Sequence, residues 1–399
     1  MFATRWLMAA GLALGGASFA LAQPAERKVA APTRLDWEFA VQGFGAGAAK
    51  LPAGYDSTKQ RYQLFVPKQY KAGQAWPLVL FISAGDEAAG WSAWQKVCET
   101  EGVFFCSPFA AGNNVATGQR TRIILDVLDD VRRAYRIDPN QTYLTGFSGG
   151  ARMSCAIAFA LPEYIGGVMP LCGTNPISGP TYLRHRIADR VSVAFVTGEK
   201  DFNRKENEEY MAPWFKELEI RSKLWVVPKL GHAIPSSDVL KEAYTWLKDD
   251  LPRRRADAKA HPDLAIASEE APNKAETGKR MVAAGQAELK QPERTWRGVA
   301  LLQGALRRGG NPVAKQVGGL LEDLLKDEAV SNRIAEQGAK DEELSVSAQA
   351  RALERFGQLG KAIEAWAILA KNYEGSALGK QAETEIQRLR QAEKGKKEK

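Results

Sequence analysis

The sequence predicts an α/β fold with a mostly parallel central sheet, followed by an all-α helical region. Three observations predict it. Pro77-Leu78-Val79-Leu80-Phe81-Ile82 and Val103-Phe104-Phe105-Cys106 are nearly continuous apolar runs, as expected of strands buried on both faces of a parallel sheet. Such runs alternate with amphipathic helical stretches, the pattern of βαβ units. From about Val282 to Glu393 no strand pattern recurs and the chain is helix-prone throughout.

The 399 residues suffice for two domains. Residues 1–22 read as a signal peptide. Arg5 supplies the positive start, Trp6 to Leu21 the apolar segment, and Ala20-Leu21-Ala22 the small-residue cleavage site. A secreted or periplasmic address follows, with no membrane span after cleavage. Residues 23–252 form the expected α/β domain, 253–281 a linker, 282–393 a helical domain and 394–399 a basic tail. The net charge of +8 is modest and is held partly in that tail. No basic strip is interleaved with aromatics, so nucleic acid is not an expected partner.

Within the α/β part, Gln23 to Arg34 is a polar lead-in. Leu35 to Gln42 and Gln60 to Val66 read as strands, the second with clear alternation. Trp76 to Ser83 is a buried strand ending in the loop Ala84-Gly85-Asp86, with a helix expected over Trp91 to Glu101. Thr121 to Tyr135 is amphipathic, with Ile124, Val127, Leu128 and Val131 on one face. Gln141 to Thr145, Gly166 to Leu171, Val191 to Val196 and Lys223 to Val227 are further strands. Ala151 to Leu161 and Asp238 to Trp246 are helices. Trp91, Trp94 and Trp214 suit either an aromatic cleft or the core, the core being the simpler assignment.

Arg253 to Thr277, with Arg253-Arg254-Arg255, Pro262 and Pro272, reads as linker, in part helical. In the helical region, Gly357-x-Leu359-x-x-Ala362-Ile363-x-x-Trp366-x-x-Leu369 resembles the second half of a tetratricopeptide repeat. A single such unit cannot bury its own face, so neighbouring helices must pack on it. A generic helical hairpin is the alternative. Cys98, Cys106, Cys155 and Cys172 allow two disulfides in three pairings. Cys155–Cys172 is the pair that the element order favours, with buried free thiols the alternative. None has metal-ligand spacing with a histidine, and neither metal nor cofactor is expected.

The chemistry centres on Gly146-Phe147-Ser148-Gly149-Gly150, between a strand and a helix. This is the context in which G-x-S-x-G presents a serine nucleophile. Acyl transfer then needs a base, an acid and oxyanion donors. Of three histidines, His185 lies between two arginines in a surface-like segment and His261 lies in the linker. His232 follows the last strand, where an α/β sheet presents reactive groups, and is the expected base. Asp201, in the loop after Val191–Val196, is the expected acid, with Glu199 as its competitor. The Gly149 N–H is the expected first oxyanion donor and the Ala84 N–H the second, with Gly85 as its competitor.

Residues 60–250 thus resemble the α/β-hydrolase superfamily, and within it the polyhydroxybutyrate-depolymerase and feruloyl-esterase group of secreted serine esterases. The resemblance rests on Arg61-Tyr62-Gln63-Leu64-Phe65-Val66-Pro67, on Pro77 to Phe81, on Ile137 to Gly150 and on Gly231-His232. It implies an eight-stranded sheet and a Ser148/Asp201/His232 triad. It also implies an ester substrate, whether a small molecule, a polysaccharide-linked ester or a polyester. The chain departs from the family at Ile82-Ser83, where His-Gly is usual, and at Gly149, where Asn is usual. Two other readings remain: an exported scaffold with a lapsed hydrolase domain, binding a protein partner through the helical region, and a serine peptidase of the same fold.

Overall fold

The computed structural model describes residues 23–45 and 47–397; the expected signal peptide lies outside them. Eight strands form one sheet: β1 (Ala25–Lys28), β2 (Arg61–Phe65), β3 (Trp76–Ile82), β4 (Phe104–Pro108), β5 (Ile137–Phe147), β6 (Gly167–Leu171), β7 (Ser192–Gly198) and β8 (Ser222–Val227). Their order is β1-β2-β4-β3-β5-β6-β7-β8. The β1–β2 and β2–β4 pairs are antiparallel, and every pair from β4 to β8 is parallel.

Alternation along each strand sorts side chains to two faces. Leu78, Leu80 and Ile82 of β3 join one buried cluster, with residues of α3 (Thr117–Ala134), α4 (Gly149–Ala160) and α5 (Thr181–Arg190). Val79 and Phe81 join the other, with α2 (Trp91–Glu101) and α7 (Ser237–Lys248). A strand buried on both faces has no polar positions to alternate, which explains its continuous apolar run. Trp91 and Trp94 are buried in the second cluster and Trp214 in the first, so all three are core residues.

Some segments differ from their sequence reading. Leu35 to Gln42 contains a short helix, α1 (Trp37–Ala40), not a strand. Asp36 caps it by accepting from the Phe39 N–H, and Phe39 and Ala40 are its buried residues. Residues 251–260 form helix α8 (Leu251–Ala260), which overlaps the start of the stretch read as a partly helical linker. Arg254 is fully buried and donates to the carbonyls of Asn140 (2.7 Å) and Leu247 (2.8 Å) and to the Tyr143 hydroxyl (3.1 Å). Of the Arg253-Arg254-Arg255 run, only Arg255 has a largely exposed side chain. His185 is buried, not superficial, and bonds Asp341 at 2.8 Å. All four cysteines are buried free thiols, so the Cys155–Cys172 pairing is not formed. Cys155 lies 3.8 Å from the Thr174 hydroxyl and Cys172 points its sulfur at the Ala233 carbonyl, each within its own hydrogen-bonding site.

The remaining helices are α6 (Ala212–Glu217), α9 (Lys274–Leu289), α10 (Thr295–Arg308), α11 (Gly310–Lys326), α12 (Glu328–Arg355), α13 (Leu359–Asn372) and α14 (Ala377–Lys397). Successive members of α9 to α14 pack on one another, α10 packs on α5, and α12 packs on α6. The first hydrophobic cluster therefore runs unbroken from the sheet through Met281 and Leu302 to Trp366 and Leu389. Trp366 and Leu369 of the repeat-like segment fill the seam between its neighbours. Among the described residues, no helix is long and apolar enough to cross a membrane.

Candidate active site

Ser148 stands between β5 and α4 with φ 56° and ψ −115°, a conformation that costs a non-glycine residue on the order of 1–3 kcal/mol. The surrounding backbone enforces it. A Cβ at Gly150 would lie 2.0 Å from the Ile82 carbonyl oxygen, and one at Gly146 would lie 2.5 Å from it. Only glycine at both positions lets the turn close on the end of β3. The Ser148 N–H donates to the Leu171 carbonyl at 2.9 Å, fastening the turn to β6.

The three residues expected to form the triad, 31 and 84 positions apart in the chain, meet here. His232 Nε2 lies 2.9 Å from Ser148 Oγ, and His232 Nδ1 lies 2.8 Å from Asp201 Oδ1. Asp201 follows β7 and His232 follows β8, so adjacent parallel strands deliver both to the same sheet edge as the turn. Asp201 is buried. Burial alone raises a carboxyl pKa, but here it is outweighed by the Thr197 hydroxyl (2.7 Å), the Asn203 N–H (3.0 Å) and the His232 ring, which together hold it below the usual range. An ionised Asp201 accepts only, so Nδ1 carries the ring proton and Nε2 accepts from the Ser148 hydroxyl. Glu199, the competing acid, instead accepts from the Lys229 N–H at 2.7 Å and braces the loop.

Two aromatic rings flank the imidazole. Phe202 stacks on it at 4.1 Å and 28°, though 76% of its surface is exposed, and Phe147 lies at 4.7 Å. Of the two expected oxyanion donors, Gly149 opens α4, where the first N–H groups have no intrahelical acceptor. Ala84 follows β3 by two residues, and its carbonyl accepts from the Asn113 N–H at 2.8 Å.

Cys172, Asp201 and His232 bring three ligand-type atoms within 4.8 Å of one another. The set does not suit a metal: Asp201 and His232 already share a proton at 2.8 Å, and burial pushes the Cys172 thiol up to about 12, leaving it protonated. Sequence reasoning missed Thr197 and Asn203, which steady Asp201, and Asn113 and Arg120, beside the oxyanion loop. Thr197 and Asn203 lie within four residues of Asp201, and Asn203 could have been read as an Asx-type loop residue. Nothing in the local sequence ties Asn113 or Arg120 to residue 84 or 149.

No family model matches the chain. A stretch of 102 residues is 30% identical to poly(3-hydroxyalkanoate) depolymerase C of Paucimonas lemoignei, covering 23% of this chain and 25% of that protein. The chain thus spans about a quarter of the length of this curated relative. Similar solved structures include a thermostable esterase (21% identity, 49% of this chain and 60% of that one, TM-score 0.38). Others are the S-formylglutathione hydrolase of Staphylococcus aureus (13% identity, 48% and 93%, TM-score 0.39) and a ferulic acid esterase (15% identity, 49% and 94%, TM-score 0.39). The strand order, the parallel run from β4 to β8 and the strained serine turn after β5 make the sheet-containing part of this chain an α/β-hydrolase fold.

Proposed function

We propose that the chain is a serine hydrolase of carboxylic esters, acting through Ser148, His232 and Asp201 with an acyl-enzyme intermediate. The observation that carries this reading is the continuous hydrogen-bond chain from Ser148 Oγ through both ring nitrogens of His232 to a buried Asp201. Ser148 Oγ attacks the ester carbonyl carbon as its proton passes to His232 Nε2. The carbonyl π pair moves onto oxygen, and the N–H groups of Gly149 and Ala84 receive that oxyanion. Its collapse breaks the bond to the alkoxy oxygen, which leaves with the Nε2 proton. Water, deprotonated by the same nitrogen, then attacks the acyl carbon and frees the acid and Ser148. Asp201 holds the ring tautomer and offsets the imidazolium charge without taking the proton.

The substrate class proposed is an ester of a small molecule, a polysaccharide or a polyester, met after export; the named depolymerase relative and the signal-like residues 1–22 support this reading. A fluorophosphonate should label the wild type covalently and fail to label Ser148→Ala. Turnover of acetyl, feruloyl and 3-hydroxybutyryl esters then ranks the acyl groups. Undiminished labelling of Ser148→Ala, or no turnover of any ester by wild type, would sink the proposal in favour of a lapsed hydrolase that serves as a scaffold.

A further inference from the structure

The loop after β4 reaches both halves of the expected oxyanion site through a single residue. The Asn113 N–H bonds the Ala84 carbonyl at 2.8 Å. Its side-chain amide lies against Gly149 so closely that a Cβ there would sit 2.0 Å from Oδ1 and 2.9 Å from Nδ2. The amide therefore stands where the Ala84 and Gly149 backbones converge, and it occupies the space a side chain at 149 would need.

Its orientation is set by Arg120. This buried guanidinium donates to the Ser83 carbonyl at 2.8 Å and to Asn113 Oδ1 at 3.0 Å. A guanidinium has only donors, so the amide oxygen must face it and the NH2 must face away. Among the described residues no acceptor takes those two Nδ2 protons, and Asn113 is exposed. Burial lowers the Arg120 pKa to about 10, partly countered by Asp86, so the group remains cationic at neutral pH. A cation bonded to the amide oxygen polarises the amide and strengthens its N–H groups as donors.

We infer that the Asn113 carboxamide is a third hydrogen-bond donor to the substrate's carbonyl oxygen, with Arg120 as its positioning residue. The inference rests on the serine-hydrolase reading above. The proton of Nδ2 stays on nitrogen; the group only receives the negative charge that develops on the carbonyl oxygen.

The test is steady-state hydrolysis of p-nitrophenyl acetate by the full chain, with Ser148→Ala as control. Asn113→Asp keeps the shape and the bond to Arg120 but loses both donors and adds a negative charge, so it is read beside Asn113→Ala, which loses the donors without adding charge. Asn113→Asp and Asn113→Ala should each lower kcat about 10²-fold, with KM moved less than about threefold. Arg120→Lys should lower kcat in the parent and add little in the Asn113→Ala background, the non-additivity of groups acting together. Wild-type kcat in Asn113→Asp, with Ser148→Ala inactive, overturns the inference and spares the triad. An unreactive wild type overturns both.

Discussion

His261 should contribute stability that is present in acid and absent in alkali. It closes helix α8, donating from Nδ1 to Asp257 (2.9 Å) and from Nε2 to Glu288 of α9 (2.9 Å). An imidazole that donates from both nitrogens is protonated. The bonds to Asp257 and Glu288 raise its pKa from 6.5 to about 9, against an opposing burial effect. Since the folded state holds this proton more tightly than the unfolded chain does, the contribution is complete below pH 6.5 and disappears as pH rises through about 9. At 1.36 kcal/mol per pH unit the ceiling is about 3 kcal/mol. The ring still meets some solvent, and screening reduces the expected figure to about 2 kcal/mol. Asp257 and Glu288 also pair with Arg186 and Arg294, so losing the imidazolium does not strand two bare carboxylates. In urea unfolding followed by tryptophan fluorescence, His261→Gln should be about 2 kcal/mol less stable than wild type at pH 6, and nearly equal to it at pH 9.5. A difference that stays constant across that range, or grows with pH, would refute the reasoning.

Asp201→Asn should lower kcat by about 10⁴-fold with little change in KM, because Nδ1 would no longer be held as the donor; stopped-flow ester hydrolysis measures it. Gly150→Ala should destabilise the fold by about 1–3 kcal/mol and abolish ester turnover, since the obstruction is the Ile82 backbone rather than a movable side chain; calorimetry and a p-nitrophenyl assay check both. Phe202→Ala should leave thermal stability unchanged but raise KM for aromatic acyl esters about 2–10-fold, the worth of one ring contact.

Sheet strands were legible because burial on both faces leaves a local signature: Leu78 to Ile82 needs no distant partner to be recognised as core. The serine, the aspartate and the histidine were legible because each follows a strand, and parallel strands align their ends. What stayed hidden depends on partners far along the chain. His185 looked superficial between two arginines, yet Asp341, 156 residues away, makes its burial tolerable. Arg254 looked like linker charge until the carbonyl of Asn140 and the hydroxyl of Tyr143 were seen to receive it. Leu35 to Gln42 was misread because Leu35, Trp37 and Phe39 alternate with Asp36 and Glu38 as a strand would, whereas the Asp36 cap starts a helix. Asn113 carries no motif at all; its place is set by Ala84, Arg120 and Gly149 together.

The four buried thiols bear on where this protein can be made and can work. With no cross-link between them, the fold draws nothing from an oxidising environment, and its rigidity is held in packing and hydrogen bonds. Cys98, Cys106 and Cys155 have thiols that burial holds protonated, and Cys172 sits behind the histidine in the same state. A mild oxidant has no accessible thiolate to act on, and a reductant has no disulfide to cleave. The fold therefore needs no disulfide isomerase to form, and its melting temperature should be the same with and without a reductant.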